Sequence, residues 1–104
     1  MANNYLLVYH GGAMPETQEE QARVMQQWTD WFGVLGDRLV DGGNPVSQAK
    51  SIAAGGSVSD TPNAPTGYSI IKADSLDQAV ELAKGCPVLQ GGASIDVAET
   101  FAVM

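Results

Sequence analysis

The residue best suited to acid–base chemistry is His10, the single histidine of the 104-residue chain. An imidazole titrates near neutral pH, so it can serve as a general base or as a ligand donor. Gly11 and Gly12 follow it and leave the backbone open. Asp41, in the stretch VDGG, belongs to another predicted strand and is the carboxylate that we expect to form a catalytic pair with His10. The alternative is an exposed histidine at a strand end, or one hydrogen-bonded to a neighbour.

A second group of residues is a candidate for ligand binding. Tyr68 and Asp96 lie in predicted strands that could line a cavity between two sheets. Trp28 is the aromatic candidate, although its place in an apolar helical stripe favours core or interface packing. Lys72 and Glu99 are further polar candidates, for which a solvated strand edge is the favoured interpretation.

The single cysteine, Cys86, lies between Gly85 and Pro87. Glycine is typical of a helix end and proline cannot continue a helix, so this tripeptide predicts a helix stop. A catalytic thiolate needs a cation, a histidine base or a helix N-terminus beside it, whereas this thiol follows the carboxyl end of a helix. We therefore expect a buried, structural cysteine.

The sequence offers no motif for a metal or a cofactor, and we expect neither. One histidine and scattered carboxylates lack the local spacing of a metal site. The glycine pairs at 11–12, 42–43, 55–56 and 91–92 lack the surroundings of a phosphate-binding loop, so they are interpreted as turns and bulges.

Charge and composition exclude several classes of protein. Twelve acidic and five basic residues give a net charge of −7, which repels nucleic acid. The sequence has no apolar run of membrane-spanning length and no secretory signal pattern, so we expect no membrane association. A single cysteine excludes an internal disulfide and favours the cytoplasm. The length fits one domain over residues 1–104.

The first half of the chain predicts a strand, a helix and a second strand. Residues 4–12 are rich in strand formers and are apolar on both faces, so both faces need cover. Thr17 and Glu20 form a capping-box pattern for a helix that begins near residue 18 and ends at Gly36. Residues 37–46 predict a strand bent at its glycine pair.

The second half repeats this order after an insertion. Residues 49–60 predict a small hairpin closed at Gly55 and Gly56, followed by a proline-rich loop. A strand follows at 68–74, and the Ser75-x-x-Gln78 pattern starts a helix with Gly85 as its cap. Residues 93–103 predict the last strand, with Phe101 and Val103 on its apolar face.

The resulting order of elements is typical of an α+β protein with a ferredoxin-like βαββαβ arrangement. Its two helices would cover one face of the sheet and leave the other face bare. Because the first strand is apolar on both faces, we expect a second copy of the chain to cover the bare face as a homodimer.

The chain resembles the YCII-related proteins, and among them the group named for a DGPF motif. The resemblance extends through YLLVYHGG, QQWTDWFGVLGDRLVDGG, GYSIIKADSLDQAVELAKGCP and GGASIDV, and residues 67–87 carry its most specific part. It implies a dimeric α+β barrel, in which two ferredoxin-like sheets close face to face. The DGPF segment itself is represented by DTP at residues 60–62.

Some relatives in the broader family resemble acid–base enzymes with a histidine on the first helix and an aspartate before the proline that follows the second helix. This chain has no histidine on the first helix, and Cys86 stands at the aspartate position. That dyad is absent, and three functions stay open. They are a homodimer that binds a small organic molecule, a cofactor-independent isomerase, lyase or hydrolytic enzyme using His10 with Asp41, and an interaction protein with a solid barrel.

Overall fold

A computed structural model of the chain describes residues 2–103. Within that range the chain forms two α-helices and six strands. In chain order they are β1 (Asn3–Gly11), α1 (Gln18–Leu35), β2 (Leu39–Asp41), β3 (Lys50–Ile52), β4 (Val58–Asp60), β5 (Pro65–Ala73), α2 (Leu76–Ala83) and β6 (Ala93–Glu99). Short 3₁₀ helices at Gly36–Arg38 and Pro87–Gly91 follow the two α-helices. The predicted α+β class is confirmed.

Four of the strands form one antiparallel sheet in the order β2-β5-β1-β6. β1 is central, and it pairs with β5 on one side and with β6 on the other. The register places Val8 opposite Tyr68 in β5 and opposite Asp96 in β6. Residues at the carboxyl end of β1 therefore have near neighbours in β5 and β6, and β5 separates them from β2.

The start of α1 follows from its cap, as the sequence predicts. The Thr17 hydroxyl accepts a hydrogen bond from the backbone N–H of Glu20 at 3.1 Å. This bond satisfies one of the free N–H groups in the first turn of the helix. Gly36 ends the helix, and its φ of 53° lies in a region that glycine adopts without strain. Both predicted ends of α1 are confirmed.

α2 begins as predicted but ends two residues before Gly85. The Ser75 hydroxyl caps the backbone N–H of Gln78 at 3.1 Å, whereas the C-cap is Lys84. The indole Nε1 of Trp31 donates a hydrogen bond to the Leu82 carbonyl at 3.1 Å. That carbonyl also accepts a bond from the backbone N–H of Gly85. The indole N–H thus gives the Leu82 carbonyl at the end of α2 a hydrogen-bond donor. A side chain at Gly85 would crowd the Trp31 ring, so the glycine leaves room for the indole.

Both helices pack against the same face of the four-stranded sheet. Tyr5, Leu7 and Tyr9 of β1 are buried in one cluster with Trp31 of α1 and Ala79 of α2. The thinnest dimension of the molecule is 19 Å, which is the thickness of a sheet with one helix layer.

The opposite face of the sheet carries no helix in the part of the chain that the structure describes. Leu6, Val8 and Ile70 stand at its centre and are half-buried. We call this surface the open face. Its apolar centre agrees with the alternation of apolar residues along β1, in which both faces carry large side chains.

β3 and β4 form a separate two-stranded hairpin, in agreement with the sequence prediction. Ile52 and Val58 face each other across it and are 73% and 64% exposed. The radius of gyration is 15.1 Å, compared with about 13 Å for a compact domain of 100 residues. The chain is therefore more extended than its length requires.

Two predicted strands are shorter in the structure. The strand prediction for residues 37–46 is right only for Leu39–Asp41, because a 3₁₀ helix at Gly36–Arg38 precedes it and Gly43 turns the chain with a φ of 78°. The predicted bend at the glycine pair is present, and after it Pro45 forms an isolated bridge with Gly67. The prediction for residues 93–103 is wrong beyond Glu99, because β1 begins at Asn3 and offers almost no further strand for pairing. Phe101 and Val103 are consequently exposed rather than packed in the core.

No helix within residues 2–103 combines the length and the apolar character needed to cross a membrane.

The close approach of Gly43 to β5 leads to a stability prediction. A Cβ atom at Gly43 would overlap the carbonyl oxygen of Tyr68, whereas a Cβ at Gly56, which also has a positive φ, would meet nothing. We expect Gly43→Ala to lower the free energy of unfolding by about 3 kcal/mol and Gly56→Ala by about 1 kcal/mol. Urea unfolding of both variants measures this difference. Equal losses would show that the loop moves away from β5 without cost.

Candidate functional site

A cavity of about 1240 Å³ opens at the end of the sheet beside α1. Its walls come from α1, from residues 11–15 and 42–47, from the start of β5 and from the 3₁₀ helix Pro87–Gly91. Pockets for small organic molecules usually have volumes of about 300–1000 Å³. The cavity therefore has enough space for such a molecule, with one side open to solvent.

Aromatic side chains form one wall of this cavity. Trp28 forms this wall together with Tyr9 and Phe32. Tyr68 also lines the cavity, but it pairs with Val8 of the open face, so its side chain belongs to the other face of the sheet. The ring centroid of Trp28 lies 5.9 Å from that of Tyr9 and 5.5 Å from that of Phe32, in edge-to-face and tilted arrangements. These contacts hold the indole in place, since such pairs add to the stability gained by burial. Trp28 thus belongs both to the packing of α1 and to the cavity wall.

The polar part of the lining contains amides, hydroxyls and one cation. The Gln27 side chain donates a hydrogen bond to the Gln90 side chain at 3.1 Å, linking α1 to the 3₁₀ helix. Asn44 donates a weak bond of 3.5 Å to the Tyr68 hydroxyl. Arg23 is the charged residue of the lining, which contains no aspartate, glutamate, histidine, lysine or cysteine among the described residues. Among the described residues the cavity therefore has no histidine or carboxylate for acid–base catalysis, and Tyr9 and Tyr68 are its remaining side chains of a type that can serve in it.

The glycine pair at 42–43 forms part of the cavity wall because polar groups around it fix the loop. An Asp41 carboxylate oxygen accepts a hydrogen bond from the backbone N–H of Gly43 at 2.8 Å. The buried Ser69 hydroxyl donates to the Gly42 carbonyl at 2.8 Å and accepts a bond from the Tyr9 hydroxyl at 2.7 Å. Asp41 is thus a positioning residue for the cavity loop and does not itself line the cavity.

His10 lies outside the cavity lining, on the open face, and both of its ring nitrogens have partners. Nε2 lies 3.1 Å from a carboxylate oxygen of Asp96, and Nδ1 lies 3.1 Å from the carbonyl oxygen of Asn63. The side chain of His10 is only 13% exposed. Asn63 presents its carbonyl from a turn with a φ of 48°, which asparagine tolerates better than most residues.

Both partners of the ring are acceptors, since a carbonyl oxygen only accepts hydrogen bonds and an ionised carboxylate does the same. Which ring nitrogen donates to its partner depends on the tautomer. In either tautomer both nitrogens face protein groups rather than the cavity lining.

The structure does not bring His10 and Asp41 together. Asp41 pairs with Ile70 of β5, and Ile70 pairs with Leu6 of β1, four residues before His10. Four residues of strand span about 13 Å, and β5 lies between the two side chains as well. The carboxylate beside His10 is Asp96, which reaches it from the adjacent strand β6.

The predicted ligand-binding residues divide between two places. Trp28 and Tyr68 are among the lining residues, whereas Asp96 stands with His10 outside that lining. The register nevertheless places Tyr68 and Asp96 on the same face of the sheet, on either side of Val8. Sequence reasoning did not single out Arg23 or Gln27, which line the cavity from α1. Their spacing of four residues places both on one side of the helix at the edge of the apolar stripe, but the spacing does not show which surface that side faces.

Cys86 is a buried residue at the junction after α2, with 2% of its surface exposed. Burial away from water raises the pKa of its thiol, and burial also raises the pKa of the neighbouring Tyr9 hydroxyl. The thiol therefore stays protonated and unreactive at neutral pH. Within residues 2–103 no group of three or more His, Cys, Asp or Glu side chains could hold a metal ion.

Comparisons with known proteins do not identify a family for this chain. No protein-family model matches the sequence, and no curated protein matches it closely enough to count as a relative.

The burial of Cys86 predicts slow chemical labelling. Because its pKa is raised, little thiolate exists at pH 7, and we expect native protein to react with a thiol-specific disulfide reagent at least 100-fold more slowly than urea-unfolded protein. Cys86→Ala should lower the free energy of unfolding by about 1 kcal/mol. Stoichiometric labelling of the native thiol within seconds at pH 7 would contradict this account.

Proposed function

We propose that this protein binds a small organic molecule in the cavity beside α1. The observation that carries the proposal is the composition of the lining, which combines an aromatic wall of Trp28, Tyr9 and Phe32 with a few amide groups. Small-molecule sites typically combine an apolar surface with a small number of polar groups that orient the ligand. The aromatic wall favours a ligand with a flat ring system, which would stack on the indole of Trp28.

Binding without chemical conversion is favoured over catalysis. His10 is the natural general base of the chain, yet it is not among the lining residues and its two nitrogens are engaged with Asn63 and Asp96. The alternative, a cofactor-independent isomerase, lyase or hydrolytic enzyme, would use Asp96 rather than Asp41 as the carboxylate partner. It would also require a substrate site on the open face, where the second copy is proposed to dock.

We propose that the working form is a homodimer of the dimeric α+β barrel type, as in the YCII-related proteins that the sequence resembles. The strand order β2-β5-β1-β6 supports a ferredoxin-like arrangement, because that arrangement places its first and third main strands at the centre. The apolar centre of the open face, formed by Leu6, Val8 and Ile70, supports a second copy as its cover. A single thiol that is also buried suits the cytoplasm, where we propose that the protein works.

The cavity proposal predicts that a bulky side chain placed in the lining blocks binding. Val24 lines the cavity from α1, whereas Ala22 is exposed on the same helix and does not line it. We expect Val24→Trp to weaken binding of the neutral fluorescent probe N-phenyl-1-naphthylamine at least tenfold, because the indole occupies the space that the probe needs. Fluorescence titration of purified protein measures the affinity.

Ala22→Trp is the matched control and should leave the affinity within twofold of the unmodified protein. Circular dichroism checks that both variants keep their helices. Equal affinities for Val24→Trp and the unmodified protein would place the probe elsewhere and contradict the cavity proposal.

The dimer proposal predicts a specific effect of charge on the open face. The unmodified protein should sediment as a dimer at micromolar concentration, also in 1 M NaCl, because the proposed contact is apolar. Val8→Arg should yield a folded monomer, whereas Val34→Arg, on an exposed part of α1, should leave the dimer intact. A monomeric unmodified protein would rule out the barrel.

A further inference from the structure

We infer that the ligand of the cavity is an anion, an aromatic or otherwise flat molecule with a carboxylate or sulfonate group that binds Arg23. The inference rests on the proposed function and adds the chemical class of the ligand to it.

The distribution of charge around the cavity is the first argument. The chain has twelve carboxylates and five basic residues, and among residues 2–103 none of the carboxylates lines the cavity. A protein with a net charge of −7 repels anions in general. A lining without carboxylates, and with Arg23 in it, is the local composition that an anionic ligand requires.

The second argument is that Arg23 has no protein partner. Three of the other four basic side chains each lie within 4 Å of a carboxylate, in the pairs Arg38–Asp74, Lys50–Asp60 and Lys84–Glu81. Within residues 2–103 the Arg23 guanidinium makes neither an ion pair nor a hydrogen bond, although the helix that carries it also bears acidic residues. Its donors are therefore free to bind a ligand.

The third argument is the position of Arg23 relative to the aromatic wall. Arg23 lies one helical turn before Gln27 and five residues before Trp28, and all three line the same cavity. Arg23 is exposed and Trp28 is half-buried, so the cation stands at the mouth and the ring surface lies deeper. A flat molecule stacked on Trp28 would thus present its acidic group at the mouth.

The chemistry of the guanidinium selects the ligand group. Its planar fork donates two parallel hydrogen bonds to a carboxylate or a similar oxyanion, and such charge-assisted bonds are about twice as strong as neutral ones. In the bond between the two glutamines, Gln27 uses one amide N–H and Gln90 uses its side-chain carbonyl oxygen. The other N–H groups of both amides and the carbonyl oxygen of Gln27 stay available to neighbouring polar atoms of the ligand. A cationic ligand is disfavoured, because it would face Arg23 without any carboxylate to balance it.

Two fluorescent probes with the same aromatic skeleton test the inference. 1-Anilinonaphthalene-8-sulfonate carries a sulfonate, and N-phenyl-1-naphthylamine lacks it. We expect Arg23→Gln to weaken binding of the sulfonate probe about tenfold and to change binding of the neutral probe by less than twofold. Lys84→Gln, which removes one positive charge from a side chain that is paired with Glu81 and does not line the cavity, should change neither affinity by more than twofold.

Each outcome separates the inference from the proposed function. If Arg23→Gln leaves the affinity for the sulfonate probe unchanged, or weakens both probes equally, the anion inference is overturned. The proposed cavity then still stands, provided that Val24→Trp blocks the neutral probe. If Val24→Trp affects neither probe, the cavity proposal fails together with the inference that rests on it.

Discussion

The contact on which the rest of the structure depends is the packing of the aromatic side of α1 against the inner face of β1. Trp31 is buried against the sheet, and its ring centroid lies 5.6 Å from that of Trp28, which in turn contacts Tyr9. The indole of Trp31 also bonds the carbonyl of Leu82 and so connects α1 to α2. One aromatic cluster therefore contributes to the core, to the end of α2 and to the cavity wall. Because its rings are packed in the core, the wall that they form is held in place.

A cavity forms beside this cluster because hydrogen bonds hold the backbone of the loop at Gly42 and Gly43 in place, and neither glycine has a side chain to fill the space. Gly43 lies against the Tyr68 carbonyl, where no side chain fits, and Asp41 fixes its N–H from outside the cavity. Ser69 bonds the Gly42 carbonyl from the buried side. These bonds keep the 42–47 loop along the rim of the cavity rather than across it, so the space beside Trp28 stays open.

Local signals in the sequence predicted the helices and strands well. The features that the sequence did not predict depend on contacts between residues that are distant in the chain. The hydroxyls of Thr17 and Ser75 cap their helices as predicted, because a cap depends only on residues three positions apart. α2 ends two residues before Gly85, the predicted cap, and its Leu82 carbonyl accepts bonds both from the Gly85 N–H and from the indole of Trp31, which is distant in sequence.

The candidate site shows the same division. The sequence identified Trp28 and Tyr68, and the structure places both in one cavity. It paired His10 with Asp41 because both lie at predicted strand ends. Strand order decides such pairs, and the observed order places β5 between these residues and brings Asp96 of β6 beside His10. Arg23 was overlooked because an arginine on a helix gains meaning only when the surface that it faces is known.

A crystal structure of the protein with bound 1-anilinonaphthalene-8-sulfonate tests the central claim most directly. The account predicts electron density for the naphthalene ring against Trp28, with sulfonate oxygens about 3 Å from the Arg23 guanidinium. Density for the probe on the open face at Leu6 and Val8, with the cavity beside α1 filled only by water, would contradict it.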